Sequence, residues 1–547
     1  MASVVDLRMG NWSIAQIGWA FLGLSIVYIV VRYRNSAIGA RAPLPRLTTD
    51  PTKKWPVGPK GSFLLGNQAV MAANAHRYLD LFMEWRNRYG LGYEITLPGR
   101  RIIEVNHPVW LEHFQKKAFN KYGKSHLIAT NAALQRTGIF MSDGHAWMVQ
   151  RKASVQSFSR NHFKGPISEK IAAQVDTLVG LLGNLAKTGQ TFDFQDVTAR
   201  FTMLVSTSIV FSETEGISNI FNTEPACLER RHDFIDGFDK ASPAVDARTR
   251  NTLWPIMELF DKRPKQAVDN AVDKIYNYIE PLIVARLEEY KKGNRSPEKG
   301  GDLLDLCMMQ QKDPWTLAGW MVNFLFAGRD TTAYSLAWEL YELLKDKERG
   351  GNLLERAHQE LAAHRPEDNQ GVFHLDYDDQ KDYVLLGAIW QETIRIHPAS
   401  ARGQASAYED DILPAIPEIG QPAVPVKKGD LVMWQDWVMN RLESIWPDPL
   451  KFYPDRFLDD NGSLKTPSTW VLHSFNGGPR TCVGKNLATF DALSVMSAIL
   501  PLFDFELMEP NYTATYTTGM NMGLSEIQKG TNKGMALPVR VHRRTTP

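Results

Sequence analysis

The sequence has few cysteines and no cysteine pattern that would cross-link a fold or bind a metal in it. Only Cys227, Cys307 and Cys482 occur in 547 residues, and they lie far apart. An odd, dispersed set argues against a disulfide framework and predicts a reducing compartment for the main body. Because the sequence contains no Cys-x-x-Cys pair and no histidine cluster, a structural zinc site is also not expected.

An excess of charge and an internal repeat are missing as well. The 62 basic and 61 acidic residues give a net charge of +1, so the composition gives no reason to expect binding to nucleic acid. Glycine and proline are spread along the chain, and no linker divides its body. Length alone would suggest roughly three or four domains. A single large domain, mainly α-helical with a minor β region, is the simpler interpretation.

One long apolar run is present, close to the N-terminus. Residues 14–31 contain few polar side chains. A helix of that length spans about 27 Å, close to the roughly 30 Å of the hydrocarbon core of a bilayer. The alternative, a cleaved signal peptide, has an apolar part of about 7–15 residues followed by small residues. This run ends instead in Val-Val-Arg-Tyr-Arg, which favours an uncleaved transmembrane signal anchor over 14–31.

Basic residues follow this run and hardly precede it. Arg8 is the only one before it, whereas the stretch 32–58 is basic and contains prolines. Positive flanks stay cytoplasmic, so we expect 1–13 to be lumenal and the body to face the cytosol from the endoplasmic reticulum membrane. The stretch 32–58 is interpreted as a linker to one domain, 59–547. Asn11 fits the glycosylation pattern Asn-x-Ser but abuts the membrane, and its use is left open.

The most informative helical segment lies in the middle of the body. Residues 315–344 are apolar nearly all round, which is typical of a helix buried in a large protein or in a membrane. Asp313 and Pro314 suit its N-cap and its first turn. A polar group at 329–332, Arg-Asp-Thr-Thr, interrupts it. Buried polar groups cost free energy unless they are partnered or used, so this break is a candidate functional element.

Other segments complete the mainly helical prediction. Apolar and charged residues recur at helical spacing through 265–292, where Pro281 predicts a kink or a break. Short β-prone pieces at 423–426 and 431–434 alternate with proline and glycine and predict a small sheet. Helical periodicity returns after Cys482.

A glycine-rich string with a single cysteine occupies 475–488: Phe-Asn-Gly-Gly-Pro-Arg-Thr-Cys-Val-Gly-Lys-Asn-Leu-Ala. Its glycines and proline predict a tight loop. The helix that follows is expected to lower the pKa of the Cys482 thiol through its dipole and free amides. Gly484 leaves room for a flat group near the backbone, and Arg480 is suited to pair with a carboxylate. For a lone cysteine, a core residue in a glycine-rich turn is the alternative.

The whole string resembles the haem-binding signature of the cytochrome P450 family, Phe-x-x-Gly-x-Arg-x-Cys-x-Gly-x-x-x-Ala, at all of its fixed positions. The resemblance extends over about 56–541. It implies the cytochrome P450 fold and a non-covalent haem b whose iron takes Cys482 as its axial thiolate ligand. Such a ligand favours O–O cleavage. By the same resemblance, Phe475 packs near the sulfur, Gly484 lies against the haem and Arg480 binds a haem propionate.

Two further motifs follow in the order that the family has. Glu392 and Arg395, in Glu-Thr-Ile-Arg, share a helical face. Arg456, in Pro-Asp-Arg-Phe where relatives have Pro-Glu-Arg-Phe, would complete a buried structural triad with them. Trp147 and Arg151 resemble the family's Trp-x-x-x-Arg helix, whose side chains meet haem propionates. A stacked surface pair is the alternative for these two residues.

The polar break in the long helix, Ala-Gly-Arg-Asp-Thr-Thr at 327–332, is similar to the family's Ala-Gly-x-Asp-Thr-Thr. The resemblance implies that Ala327 and Gly328 leave space over the haem for a diatomic ligand. It further implies that Thr331 bonds O2 and that Asp330 relays protons. A hydroxyl satisfied by the preceding helical turn is the alternative for Thr331.

One position departs from the family pattern. Relatives carry a propionate-binding arginine seven residues after the proline that follows Glu-x-x-Arg. Counted from Pro398, that position is Ala405. Arg402 comes three residues earlier, so whether it contacts haem is left open.

Parts of the chain are similar to the fatty-acid and alkane terminal hydroxylases of plants, yeasts and other eukaryotic microbes. The stretch 138–147 resembles their Gly-Ile-Phe-x-x-Asp-Gly-x-x-Trp, and Arg329 stands at the variable place of their helix motif. We therefore expect a monooxygenase that hydroxylates long-chain fatty acids or alkanes at the omega carbon. Sterols or xenobiotics are alternative substrates. A haem-binding isomerase or sensor is the alternative class, which Asp330 and Thr331 disfavour.

The expected reaction needs partners. The 547 residues are expected to hold the anchor and the haem domain only, so the resemblance implies NADPH-cytochrome reductase as electron donor. O2 and an apolar small molecule drawn from the membrane complete the set. Lys152 and Lys485 are candidates for the reductase docking face because of their charge. Substrate contacts are expected in variable loops near 125–135 and 234–253.

Overall fold

The structure, a computed structural model, describes residues 14–32, 58–62, 64–212, 216–295, 301–364, 371–509, 512–517 and 519–544. The predicted lumenal segment 1–13, with Asn11, and most of the predicted linker 32–58 lie outside these ranges. The predicted anchor coincides with a helix, α1 (Ile14–Arg32). Within the described ranges, no helix is both long enough and apolar enough to span a bilayer.

Helices dominate the described part of the chain, which confirms the predicted fold class. After α1 they are α2 (Gln68–Ala73), α3 (Tyr78–Tyr89), α4 (Pro108–Glu112), α5 (Ser125–Gln135), α6 (Gly144–Ser157), α7 (Arg160–His162), α8 (Ser168–Thr188), α9 (Phe194–Phe211), α10 (Asp233–Arg250), α11 (Trp254–Phe260), α12 (Arg263–Lys291), α13 (Leu303–Met308), α14 (Pro314–Glu348), α15 (Leu353–His364), α16 (Val384–Ile396), α17 (Asp436–Met439) and α18 (Lys485–Ile499).

The strands are short and form three small sheets. They are β1 (Gly92–Leu97), β2 (Arg100–Val105), β3 (Tyr122–Gly123), β4 (Phe192–Asp193), β5 (Gly403–Ala407), β6 (Asp411–Leu413), β7 (Val424–Val426), β8 (Leu431–Trp434), β9 (Phe503–Leu507) and β10 (Pro538–Arg543). The largest sheet has the order β1-β2-β8-β5-β3, and the others are β4-β10-β9 and β6-β7. Strands β7 and β8 confirm the predicted β pieces, whereas the β1–β2 hairpin was not among them.

The long helix α14 passes through the main apolar core, as its composition predicts. Asp313 caps it, because its carboxylate accepts a hydrogen bond of 2.9 Å from the Thr316 amide. Pro314 occupies the first turn. Most side chains between Leu317 and Lys345 are buried, so α14 is the rigid element on which the polar break is presented.

Helix α12 lacks the break that was one of the two outcomes predicted for Pro281. It runs from Arg263 to Lys291 without a break at Pro281. Proline removes one backbone hydrogen bond, but Ile275, Ile279 and Ile283 of the same helix are fully buried in the core. Packing of this apolar face keeps the helix continuous despite the proline.

Candidate active site

Helix α16 carries an ion pair that is fully buried. The Arg395 guanidinium donates to both carboxylate oxygens of Glu392, at 2.6 and 2.8 Å, and also to the Asn440 carbonyl at 2.6 Å. Arg456 Nε donates to the same carboxylate at 3.1 Å. The structure thus brings the three residues of the predicted triad together and fixes α16 to the segment that contains Arg456.

The loop before α18 is built so that only glycine fits at its turn. Gly478 has φ +64°, and a Cβ there would lie 2.3 Å from the Gln115 carbonyl oxygen. A Cβ on Gly477 would overlap the Trp470 ring. The Cys482 amide then closes the loop by donating to the Phe475 carbonyl at 2.8 Å. These constraints hold the cysteine in one place just before the helix.

A cavity of about 430 Å³ lies beside this cysteine. Its volume is in the range of roughly 300–1,000 Å³ that is typical of small-molecule sites. The thiol loop contributes Phe475, Cys482 and Gly484 to its lining. Helix α14 contributes Ala327 and Thr331, among others. The glycine-rich string and the polar break, which are far apart in sequence, therefore line one cavity.

The environment of Cys482 differs from the prediction in one respect. Burial raises the pKa of the Cys482 thiol, against the opposing effects of the Gly484 amide and Arg151. The prediction of a lowered pKa was wrong, because α18 begins only at Lys485 and desolvation of the thiolate outweighs the helix amides. The thiol is exposed toward the cavity that it lines.

Basic side chains gather at one edge of the cavity. Arg151 donates to the Thr481 carbonyl at 2.7 Å, and Arg480 donates to Asp143 at 2.5 Å. The buried Trp147 ring lies 4.8 Å from the Arg480 guanidinium. The alternative interpretation of a stacked surface pair does not hold, because Trp147 is buried and stacks with Arg480 and not with Arg151.

Lys124 joins this edge, and sequence reasoning missed it. Its ammonium makes a long hydrogen bond of 3.4 Å to the Gln404 carbonyl, next to Ala405, where relatives have an arginine. Burial, and then repulsion from Arg480, lower the pKa of Lys124 to about 8. No spacing rule connects position 124 to the cysteine loop. The one signal in the sequence was that Lys124 directly precedes 125–135, a segment predicted to contact the substrate.

The cavity edge therefore has more positive than negative charge. Lys124, Arg151 and Arg480 line it, and Asp143 is the carboxylate bonded to them through Arg480. Buried cations without a full set of counterions favour an anionic ligand. A free thiol at the wall and this cationic edge fit a flat, dianionic metal macrocycle such as haem.

Comparisons with known proteins agree with this geometry. The family described as Cytochrome P450 matches residues 56–530. Cytochrome P450 monooxygenase cyp1 of Mycosarcoma maydis is 32% identical over 503 residues, which cover 89% of this chain and 74% of that protein. The chain belongs to the cytochrome P450 family.

Two plant relatives extend the comparison. Cytochrome P450 CYP94D108 of Paris polyphylla is 26% identical over 469 residues, covering 84% of this chain and 89% of the relative. Cytochrome P450 86B1 of Arabidopsis thaliana is 27% identical over 410 residues, covering 71% of this chain and 70% of the relative.

As a cytochrome P450, the chain is a monooxygenase that uses haem with an axial cysteine thiolate, O2, a redox partner and a hydrophobic substrate. The predicted resemblance is confirmed.

The polar break of α14 has two kinds of contact in this cytochrome P450. The Thr331 hydroxyl donates to the Ala327 carbonyl at 2.6 Å, which is the bond that the alternative interpretation expects. Thr331 also lines the cavity, so the residue lies next to the space that a ligand would occupy. Gly328 serves packing in addition, because a Cβ there would lie 2.5 Å from Ser206 Oγ on α9.

Asp330 is buried and incompletely bonded. Its Oδ1 accepts no hydrogen bond from the residues that the structure describes, and Arg329 lies 3.4 Å away. Burial raises the pKa of Asp330, against the opposing effect of Arg329. Arg329 in turn pairs with Asp239 on α10 at 2.6 Å. A chain of charged groups therefore connects Asp330 with a half-exposed carboxylate.

Arg402 does not join the cationic edge. Its guanidinium lies 2.7 Å from Asp246 on α10 and 4.7 Å from the centre of the Tyr78 ring. The structure thus assigns Arg402 to a different part of the cavity lining from Arg480.

The segments predicted as variable substrate loops are helices. Residues 125–135 form α5 and residues 234–253 belong largely to α10, so the prediction of loops was wrong. Polar residues and Pro243 weaken the helical pattern of α10, but packing on α12 overrides this preference. Both helices do line the cavity, α5 with Asn131 and Gln135, α10 with Asp246 and Thr249.

Proposed function

We propose that this cytochrome P450 hydroxylates long-chain fatty acids or alkanes at the terminal carbon. One observation carries the proposal. Ile139, Phe140 and Met141 line the cavity next to the cysteine. They belong to the stretch 138–147, whose sequence resembles fatty-acid and alkane terminal hydroxylases. An apolar lining favours a hydrocarbon chain and gives no reason to expect a polar substrate.

The binding roles follow from position and charge. Cys482 is the axial ligand, and Phe475 and Gly484 lie beside it. Arg151, Arg480 and Lys124 would hold the propionates, with Trp147 supporting Arg480. Haem iron, when bound, supplies the activation of O2. We assign the triad of Glu392, Arg395 and Arg456 a structural role, since Glu392 and Arg395 are fully buried and Arg456 donates to the same carboxylate.

Two residues of α14 are proposed as catalytic. The Thr331 hydroxyl is placed to donate a hydrogen bond into the cavity when it leaves the Ala327 carbonyl. Asp330 keeps a proton more readily than an exposed carboxylate because of its raised pKa, and Arg329 and Asp239 connect it toward solvent. Ala327 and Gly328 have no bulky side chain, so the cavity stays open beside Thr331.

Product analysis tests the reaction. The full-length holoenzyme is mixed with NADPH, a microsomal reductase and, in turn, a long-chain fatty acid, an alkane and a sterol. Terminal hydroxylation of the acid or the alkane, found by mass spectrometry, supports the proposal. Hydroxylation of the sterol alone would replace it with the second substrate class. Thr331→Ala is expected to reduce product per NADPH about tenfold or more and to raise peroxide release.

We also propose that the chain is anchored in the endoplasmic reticulum membrane, with 1–13 lumenal, 14–31 spanning, 32–58 as linker and 59–547 in the cytosol. The apolar run and the basic residues after it support this arrangement, and Trp19, Phe21 and Leu24 of α1 are exposed. Microsomal fractionation with protease protection tests it. A soluble full-length chain, or a body protected from protease added outside, would contradict it.

A second apolar surface supports membrane contact by the body. On α11, Met257, Leu259 and Phe260 are exposed, Phe260 by 89%. A large exposed apolar patch marks an interaction surface. Deletion of residues 1–58 is therefore expected to weaken vesicle binding without abolishing it. The double variant Leu259→Ser/Phe260→Ser in the shortened chain should abolish the binding that remains.

For the electron donor we propose NADPH-cytochrome reductase, docked near Lys152 and Lys485. Both side chains are exposed, and Lys485 begins α18 immediately after the cysteine loop. Reversal of both charges is expected to slow reductase-supported turnover more at low salt than at high salt. Unchanged turnover at low salt would remove these two lysines from the docking face.

A further inference from the structure

An ion pair inside the cavity is unexplained by the haem site. Arg402, which precedes β5, and Asp246 of α10 both line the cavity. Arg402 Nη2 donates to Asp246 Oδ1 at 2.7 Å. Asp246 is 1% exposed. An ion pair is costly to bury among apolar side chains, so its presence in an apolar cavity calls for a function.

The single carboxylate of this cluster is shared between two cations. Arg250 Nε lies 2.9 Å from Asp246 Oδ2, while Arg402 takes the other oxygen. Arg402 Nη1 is buried and has no hydrogen-bond partner among the residues that the structure describes. A guanidinium forms two parallel bonds to a carboxylate when it can. Arg402 therefore has a donor that Asp246 does not use, on a side chain that lines the cavity.

No other charged group near Arg402 uses this capacity. Glu104 is the other acidic side chain close enough to affect it. Burial raises the pKa of Glu104 to about 8, so it is mainly uncharged at neutral pH. Burial raises the pKa of Tyr78 to about 12, so its ring contacts the guanidinium as a neutral group. Asp246 is thus the anion that Arg402 faces.

We propose that Arg402 binds the carboxylate of an acid substrate, with Asp246 as the anion that holds the guanidinium in place when no substrate is bound. This rests on the proposed function and narrows it, because an alkane has no group for Arg402. The acid head would be held between α10 and β5, and the hydrocarbon chain would extend along the cavity that also contains Cys482. Oxidation would then fall on the chain, away from the carboxylate.

Equilibrium binding to the full-length holoenzyme tests the proposal. Palmitic acid and hexadecanol share a chain and differ in the head group, and their binding can be followed by the Soret shift and by calorimetry. Arg402→Gln is expected to weaken binding of the acid about 10- to 100-fold and to change binding of the alcohol little. Arg402→Lys should retain part of the acid affinity.

Asp246→Asn separates recognition from a purely structural role. It removes the competing anion and keeps the shape, so acid binding should stay equal or become tighter. If Arg402→Gln and Asp246→Asn weakened acid and alcohol alike, the pair would only hold α10 in place, and the proposal would be wrong. Equal wild-type affinity for acid and alcohol, unchanged in Arg402→Gln, would also overturn it while leaving the hydroxylase intact. Binding of neither ligand would reject the proposed substrate class itself.

Discussion

The buried pair of Glu392 and Arg395 on α16, the centre of the triad, and the charged groups at the cavity differ in how completely their polar atoms are bonded. Every nitrogen and oxygen of the Glu392 and Arg395 head groups has a hydrogen-bond partner. Asp330 Oδ1 on α14 and Arg402 Nη1 at the cavity lining have none among the described residues. Satisfied buried networks rigidify a fold, whereas unsatisfied buried groups call for a ligand or water. The triad therefore holds the structure, and the cavity groups retain capacity for ligands.

The sharpest test of this difference is Cys482→Ser, a cavity residue without a structural bond through its side chain. The variant is expected to fold as the wild type does and to lose the thiolate-ligated haem entirely. The reduced carbon monoxide complex of the wild type should show the long-wavelength Soret band of thiolate ligation, and the variant should not. A variant that kept this band would mean that Cys482 is not the ligand.

The converse change, Glu392→Ala, should act on the fold and lower its stability. It leaves the Arg395 guanidinium buried without its counterion, which costs about 3–5 kcal/mol of unfolding free energy. Urea unfolding followed by tryptophan fluorescence measures this loss. Asp269→Ala is the matched control, since Asp269 pairs with Lys265 on an exposed helix face. If both variants were equally stable, the triad would not have the proposed structural role.

Sequence reasoning located the cysteine loop and the pair of Glu392 and Arg395 by their resemblance to family motifs, whose spacing is fixed because their constraints are local. Glycines at 477 and 478 are required by atoms that a Cβ would meet, and Glu392 and Arg395 lie one turn apart on one helix. Such requirements leave a fixed spacing in the sequence. The long helix α14 was predictable for the same reason, since its cap, its apolar surface and its polar break all lie within one segment.

The contacts that sequence reasoning missed join residues that are far apart in the chain and close in the fold. The ion pair of Arg402 with Asp246 joins residues that are 156 positions apart, and Lys124 reaches the cavity from a different element from Arg480. The pKa of Cys482 was predicted with the wrong sign because the amount of burial is not written in the motif. Contacts made in the cavity lining thus have to be read from the structure.

Lys124→Gln tests one of these unpredicted contacts and gives a smaller effect. Removing one charged donor from the cavity edge is expected to weaken haem retention about tenfold, with little change in unfolding free energy. Transfer of haem to an excess of an apo-globin gives the rate. Lys152→Gln is the matched control, because Lys152 is an exposed lysine on the neighbouring α6. Equal rates for the two variants would show that Lys124 does not hold a propionate.

The smallest expected effect concerns Glu104, a buried acid of the sheet close to Arg402. Burial raises its pKa from 4.5 to about 8. The unfolded chain therefore loses the proton first as the pH rises, and the folded state loses stability relative to it between about pH 4.5 and 8. Glu104→Gln removes this penalty. The difference in Tm between the variant and the wild type should therefore grow by about 2–4 °C as the pH is raised from about 5 to about 9. The exposed Glu526→Gln should show no such trend. A pH-independent difference would mean that Glu104 is already ionised in the fold, and β2 would then hold a second anion to balance Arg402.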